Sequence, residues 1–371
     1  MKKKLLFIFG TRPEAIKMVS IIQECKHSDN FDVEICTTGQ HKEMLQQVMD
    51  FFSLKADYEL NVMTYSQTLY HLTSSILTEL QNIIATAKPD IVLVQGDTTT
   101  AFAGSLAAYY AQIPVAHIEA GLRSFDNYSP FPEEVNRKLI GDIATFHFCP
   151  TEKAKQNLIN EGKKENLFVT GNTVIDALLQ GVNMVRHDNT IKEYFDNIII
   201  PDRKIILVTG HRRENFGKPF EEICNALLEI AETYNDVQII YPVHLNPHVQ
   251  KVVHKKLGSQ KNITLINPLD YAKLIYLLDK SYLVLTDSGG IQEEAPSLGK
   301  PVVVLRNVTE REEGIEAGTA ILAGTSKEKI IQHSFNILNN EEVYNKMAQA
   351  VNPYGIGNSG KQIVNILEKS L

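Results

Sequence analysis

The chain has 371 residues, enough for two domains at roughly 150 residues each, either able to bury a full core. Its 37 Lys and Arg against 44 Asp and Glu leave a net charge of −7, without the basic surplus of a general nucleic-acid binder. With 43% apolar and 22% charged residues it is neither disordered nor of low complexity, and no apolar run approaches the ~18 residues of a membrane span.

The first apolar run, Leu5–Phe9, is followed at once by Arg12 and Glu14. It reads as a β-strand rather than the ~7–15-residue core of a secretion signal, so a cytoplasmic protein is expected. A helix, Ala15–Lys26, follows. Val33–Thr37, Ile91–Val94, Val115–Ile118 and His147–Cys149 read as further strands, with helices Leu69–Ala87 and Thr99–Ala111 between them. Most of these strands are continuously apolar, as a parallel sheet covered on both faces requires. The segment Thr170-Gly171-Asn172-Thr173 is a candidate hinge. Between Arg186 and Pro201 there is room only for a short helix and the run Ile198–Ile200. The alternation then restarts with Ile205–Thr209, Val237–Val243, Ile263–Ile266, Tyr282–Thr286 and Pro301–Leu305. The chain breaks at Asn352–Gly357 before a last helix, Gly360–Lys369. The expectation is an α/β protein of two doubly wound parallel-sheet domains, 1–170 and 171–354, with residues 355–371 packing back on the first. Cys25, Cys36, Cys149 and Cys224 have no C-x-x-C spacing and read as reduced structural thiols. His244 and His248 have metal-like spacing, but Pro247 spoils a helical ligand pair, and no metal site is expected.

Chemistry in such folds gathers at the C-terminal ends of strands. Six such ends are unusually polar. In Gly10-Thr11-Arg12-Pro13-Glu14-Ala15-Ile16-Lys17 a helix N-terminus coincides with two cations, a natural anion site. In Gln95-Gly96-Asp97-Thr98, Asp97 is either the cap of the next helix or a catalyst. In His117–Arg123, Glu119 follows a buried strand, where a carboxylate is costly unless functional or paired, for example with Arg123. In Pro132–Arg137, Glu133 and Arg137 share a helix face, as a surface ion pair would. Thr209–Asn215, with His211, is a basic turn. In Asp287–Glu294, Ser288, Gly289 and Gly290 can present backbone N–H groups to a phosphate, and Glu294 lies where a carboxylate could take both ribose hydroxyls. Neither G-x-G-x-x-G nor a P-loop occurs at these turns.

Taken together and in this order, these segments resemble the non-hydrolysing UDP-N-acetylglucosamine 2-epimerases of bacteria over nearly the whole chain. The resemblance implies a GT-B fold: two Rossmann-like domains with the active site in the cleft between them. It implies reversible interconversion of UDP-N-acetylglucosamine and UDP-N-acetylmannosamine. It also implies a homodimer that supplies capsule or other surface polysaccharide, with no cofactor, no metal, and no nucleic-acid or membrane partner. Carried over by motif, Asp97, Glu119 and Glu133 are the acid/base carboxylates, assisted by Arg137 and His211. Arg12, Lys17, Ser288, Gly289, Gly290 and Arg311 hold the diphosphate or nearby groups, Glu294 takes the ribose, and Leu269 and Leu274 lie near the base. The sequence departs from the family where Val19-Ser20 replaces Ala-Pro, Leu274 a frequent Phe, and Glu312 a frequent Pro. Gln40 and His41 fit a regulatory substrate site found in some members, but Glu43 and Ser66 replace its usual Gln and Arg. Weak or altered substrate activation, with hyperbolic saturation, is therefore expected.

C2 of the sugar is not acidic, and no nicotinamide fingerprint is present. The expected route is anti elimination of UDP to a 2-acetamidoglucal, then re-addition after protonation of the opposite face. A GT-B glycosyltransferase would need a second substrate. A hydrolysing epimerase would release free UDP, and a nucleotide-sugar sensor would do no chemistry.

Overall fold

The computed structural model describes residues 2–39, 42–62, 67–210 and 212–371, with only the backbone of 42 and 213. Two parallel sheets organise them. The first holds β1 (Lys3–Phe9), β2 (Phe31–Thr37), β3 (Tyr58–Glu59), β4 (Ile91–Gln95), β5 (Val115–Ile118), β6 (Phe146–Cys149) and β7 (Leu167–Val169). The second holds β8 (Lys204–Thr209), β9 (Val237–Pro242), β10 (Ile263–Ile266), β11 (Leu283–Thr286), β12 (Val302–Val304) and β13 (Ala320–Leu322). The strand orders are β3-β2-β1-β4-β5-β6-β7 and β10-β9-β8-β11-β12-β13. In each sheet the order reverses beside the first strand, β1 or β8. That reversal is the topological switch point, where doubly wound folds bind ligands outside the carboxyl ends.

The described residues fall into two compact units, Met1–Ala177 with Tyr354–Leu371, and Leu178–Pro353. Each has its own apolar core. In unit 1, Leu5, Leu6, Phe7, Ile8 and Phe9 of β1 are wholly buried. Leu72, Ile76, Leu80 and Ile84, spaced by four, turn one face of the helix Leu69–Ala87 into the core it shares with this sheet and with the helix Thr99–Tyr110, its main packing partner. Each such side chain contributes roughly 1.5–3 kcal/mol by leaving water. The helix starts at Thr68, whose hydroxyl accepts from the His71 N–H. The helices Arg12–His27 and Ser359–Ser370 pack together, also within unit 1. In unit 2, Ile206, Val208, Ile239, Leu283, Leu285 and Val303 form the sheet's part of the core.

Ten of the strands match the apolar runs read from sequence to within a residue or two. The other three, β3, β7 and β13, have two or three residues each and are largely half-exposed edges, too short and too polar to leave a periodic trace. Ile198–Ile200 is a turn and not a strand: Ile198 and Ile199 N–H both donate to Phe195 O, closing the helix Asn189–Asp196. Thr170, Asn172 and Thr173 are buried within unit 1. All four cysteines are buried and free, and burial pushes the Cys36, Cys149 and Cys224 thiols up to about 12. Among the described residues no helix is long and apolar enough to cross a membrane.

Candidate active site

In unit 1, β1, β4 and β5 are neighbours, so the turns after them share one edge of the sheet. Gly96 turns the chain after β4 with φ +69°. That left-handed turn is what asks for a glycine, since a Cβ there would meet Glu119 Oε2 at 3.7 Å, an ordinary contact distance. Asp97 follows. It does not cap the next helix: Thr98 does, its hydroxyl accepting from Ala101 N–H. Asp97 is instead held by its neighbours. Arg137 Nε donates to Asp97 Oδ2 at 2.7 Å, and Asn136 Nδ2 donates to the Asp97 carbonyl at 2.8 Å. Arg137 reaches Glu134 Oε2 as well, at 2.9 Å. The alternative reading of Glu133 and Arg137 as a surface ion pair does not hold: Arg137 bridges Asp97 and Glu134. Burial alone would raise the Glu134 carboxyl. The Ser124 amide and the Arg137 guanidinium more than offset that and hold it below the ordinary range. Glu133 opens the helix Glu133–Ile143, and its buried Oε2 has no partner among the described residues.

Glu119 comes directly after β5 at φ +64°, a left-handed conformation that costs a non-glycine residue of order 1–3 kcal/mol. Its carboxylate pairs with Lys17, accepts from Gln95 Nε2 at Oε2, and accepts from Asn172 Nδ2 at Oε1, 3.1 Å away. Arg123 is not its partner. That guanidinium, wholly buried, forms two 2.7 Å bonds to Glu161.

Two buried groups stiffen this edge. His117 Nε2 donates to Gly96 O at 2.7 Å, and burial pushes its imidazole down to about 3, so it stays neutral and pins the Asp97 turn. Glu14 is 1% exposed; it accepts from the N–H groups of Gly10 (3.0 Å) and Thr11 (2.8 Å) and from the Thr98 hydroxyl (2.6 Å). Burial raises its carboxyl above the usual value. This capping box alters the anion-site reading of the first helix. Pro13 has no N–H, and Glu14 takes the amides of Gly10 and Thr11. Of the two cations expected there for the diphosphate, Lys17 is drawn to Glu119 instead, and Arg12 is the turn's candidate for a ligand.

Unit 2 builds a different edge. The buried Asp287 follows β11 and accepts from Arg212 N–H at 2.9 Å and from Asn215 Nδ2 at 3.3 Å. Tyr241 OH donates to Gly210 O at 2.7 Å. Both neighbours of position 211 are therefore fixed to the sheet, although His211 itself lies outside the described residues, as do Gln40, His41 and Ser66 of the expected regulatory site. Ser288 precedes the short helix Gly289–Glu294, but its N–H donates to Thr286 Oγ1 at 2.9 Å, so of the three expected N–H donors only those of Gly289 and Gly290 remain candidates for a phosphate. The Arg311 guanidinium lies over Gly289, where a Cβ would stand 3.2 Å from its Cζ, and its Nε donates to the buried Glu293 at 2.8 Å. Gly290 is exposed, and Glu294 is 7% exposed. Leu269 and Leu274, half-buried, flank the first turn of the helix Tyr271–Lys280, which Asp270 caps through Lys273 N–H. Arg306, nearly buried, joins Glu214 (2.7 Å) to Glu310 (2.9 Å). The His244–His248 stretch is a capping turn, with Asn246 accepting from His248 N–H.

The sequence pattern found Asp97, Glu119 and Arg311 but not the residues that orient them. Gln95, Asn136 and Asn172 lie inside or beside the polar strand ends, yet a neutral amide in a motif carries no signal of its own until its partner is located.

The family model described as UDP-N-acetylglucosamine 2-epimerase matches residues 23–368. The chain belongs to that family. Like the family, it is an enzyme of the isomerase class, non-hydrolysing in type, with a GT-B fold. It is 51% identical to the UDP-N-acetylglucosamine 2-epimerase of Escherichia coli O157:H7 over 371 residues, covering 99% of each. It is 50% identical to that of Campylobacter jejuni over 379 residues, covering 100% of this chain and 98% of the other. The Neisseria meningitidis UDP-GlcNAc 2-epimerase, solved bound to UDP-GlcNAc, superposes with a TM-score of 0.90 at 48% identity, over 99% of this chain and 100% of that one.

Proposed function

We propose that this enzyme interconverts UDP-N-acetylglucosamine and UDP-N-acetylmannosamine by elimination and re-addition. A carboxylate takes the C2 proton, and the C–H electrons become a C1=C2 double bond. The C1–O bond breaks, and UDP leaves with its electron pair, giving a 2-acetamidoglucal. A second group protonates C2 from the opposite face, and a phosphate oxygen re-forms the bond to C1. Two faces require two proton-handling groups. The observation that carries the reading is the pair of adjacent strand ends in unit 1, where Asp97 and Glu119 are each held by a cation, Arg137 and Lys17. Glu133, with an unsatisfied carboxylate oxygen, is the third candidate. Arg12, Ser288, Gly289, Gly290 and Arg311 hold the diphosphate, whose charge grows as it leaves. His211 assists there, Glu294 takes the ribose, and Leu269 and Leu274 take the base.

The same reading includes a cytoplasmic homodimer whose product feeds surface polysaccharide, and hyperbolic saturation because Glu43 and Ser66 depart from the regulatory pattern. The test is incubation of the purified protein with UDP-N-acetylglucosamine alone. Both UDP-sugars should appear at equilibrium without accumulation of free UDP. A need for an acceptor would point to a glycosyltransferase, and stoichiometric UDP release to a hydrolysing enzyme.

A further inference from the structure

We infer that Asn172, together with Gln95, is a positioning residue that sets the direction of the Glu119 carboxylate; this rests on the reading of Glu119 as a proton-handling group. Glu119 leaves β5 through a strained left-handed residue, so its backbone does not settle into one arrangement unaided. Lys17 supplies charge to Oε1, but an ammonium on a flexible stem is a point charge and sets no plane. The two amides do. Gln95 Nε2 donates to Oε2 and Asn172 Nδ2 to Oε1, one donor on each oxygen, which fixes the rotation of the carboxylate. Neither amide titrates, so neither loses its donor as pH changes.

Asn172 is itself fixed. It is 3% exposed, its Oδ1 accepts from Val174 N–H at 3.1 Å, and its own N–H donates to Tyr354 O at 2.6 Å. The Val174 bond needs an acceptor, which leaves only the NH2 group to face Glu119, so the amide has one chemically consistent orientation. Gln95, also 3% exposed, stands on β4 opposite Ile118, the residue before Glu119.

This geometry separates a positioning role from a structural one. Asn172→Asp keeps the acceptor for Val174 N–H and puts an oxygen where the donor to Glu119 was. It should lower kcat about 10–100-fold, since small misplacements of a catalytic group cost on that order, while KM stays within about 3-fold; the new carboxylate beside Glu119 also lowers the melting temperature, so the uncharged Gln95→Met is measured in parallel. Asn172→Ala loses both bonds and should show the same kcat loss with a lower melting temperature. In a Glu119→Gln background Asn172→Asp should add little to the loss, because both changes act on one group. Wild-type kcat in Asn172→Asp, an effect on KM alone, or full additivity with Glu119→Gln would overturn the inference. If Asn172→Asp does not melt cooperatively, Gln95→Met removes the other donor and decides the matter: a drop in kcat at unchanged KM is expected, and unchanged kcat overturns it. Failure of the wild-type protein to form UDP-N-acetylmannosamine would instead sink the underlying functional reading.

Discussion

The two units carry the same doubly wound plan, but the carboxyl edges of their sheets are built for opposite charges. Unit 1 presents carboxylates, and cations and amides hold them: Arg137 for Asp97, and Lys17, Gln95 and Asn172 for Glu119. Unit 2 presents cations and backbone N–H groups, and carboxylates hold them: Glu293 for Arg311, Glu214 and Glu310 for Arg306, Asp287 for the amide of Arg212. The shared topology supplies the edge, and the side chains choose its chemistry. An oriented carboxylate suits proton transfer, whereas a held arginine beside an amide-rich turn suits a diphosphate.

If that division is right, changes at the held carboxylates of unit 1 lower kcat and changes at the held cations of unit 2 weaken UDP binding. The largest effect is expected for Glu119→Gln. Its kcat should fall by about 10²–10⁴-fold, the range for removing a general acid or base, with UDP affinity by calorimetry within a few-fold of wild type. Collapse of UDP affinity with kcat retained would make Glu119 a binding residue and erase the contrast.

Acid should also separate the units. Burial pushes His117 down to about 3 and His147 down to about 4, against an ordinary 6.5. Below pH 6.5 the unfolded chain takes up protons that these folded histidines refuse, so stability falls as pH falls towards those values. At pH 5, where both remain neutral when folded, the loss is about 2 kcal/mol for each. Both belong to the unit 1 sheet, side by side on β5 and β6. In unit 2 burial also lowers His333, but that residue is only half-buried. Hydrogen exchange read peptide by peptide, and corrected for intrinsic rates, should show unit 1 losing protection first between pH 7 and 5. Earlier loss in unit 2 would contradict this.

Arg311→Ala should weaken UDP binding about 10–100-fold, equivalent to about 1.4–2.8 kcal/mol, with kcat at saturation less affected. Unchanged UDP affinity by calorimetry would remove the cation from the binding edge. The smallest effect is expected away from both edges. Ser326 caps the helix Lys327–Asn339 through Lys329 N–H, so Ser326→Ala should cost about 0.5–2 kcal/mol in denaturant unfolding and leave both kinetic constants alone.

The same contrast explains what could be read from the sequence. Long buried strands such as Leu5–Phe9 and Ile91–Val94 announce themselves because a parallel sheet needs unbroken apolar runs. Charged residues just past those runs, Asp97 and Glu119 among them, stand out because burying a charge demands a reason. Their partners do not stand out. Lys17 lies 102 positions from Glu119, so sequence proximity favoured Arg123, which the fold gives to Glu161. Asn172 looked like punctuation between domains, and only its contact with Glu119 reveals a role. Nothing in the pattern singled out Glu14, yet it closes the helix end that the sequence offered as an anion site.

The central claim is that the C2 hydrogen leaves for a protein carboxylate and is replaced from solvent. Turnover of UDP-N-acetylglucosamine in D2O, followed by NMR, should place deuterium at C2 of both UDP-sugars as they approach equilibrium. Epimerised product that keeps its original hydrogen at C2 would contradict the account.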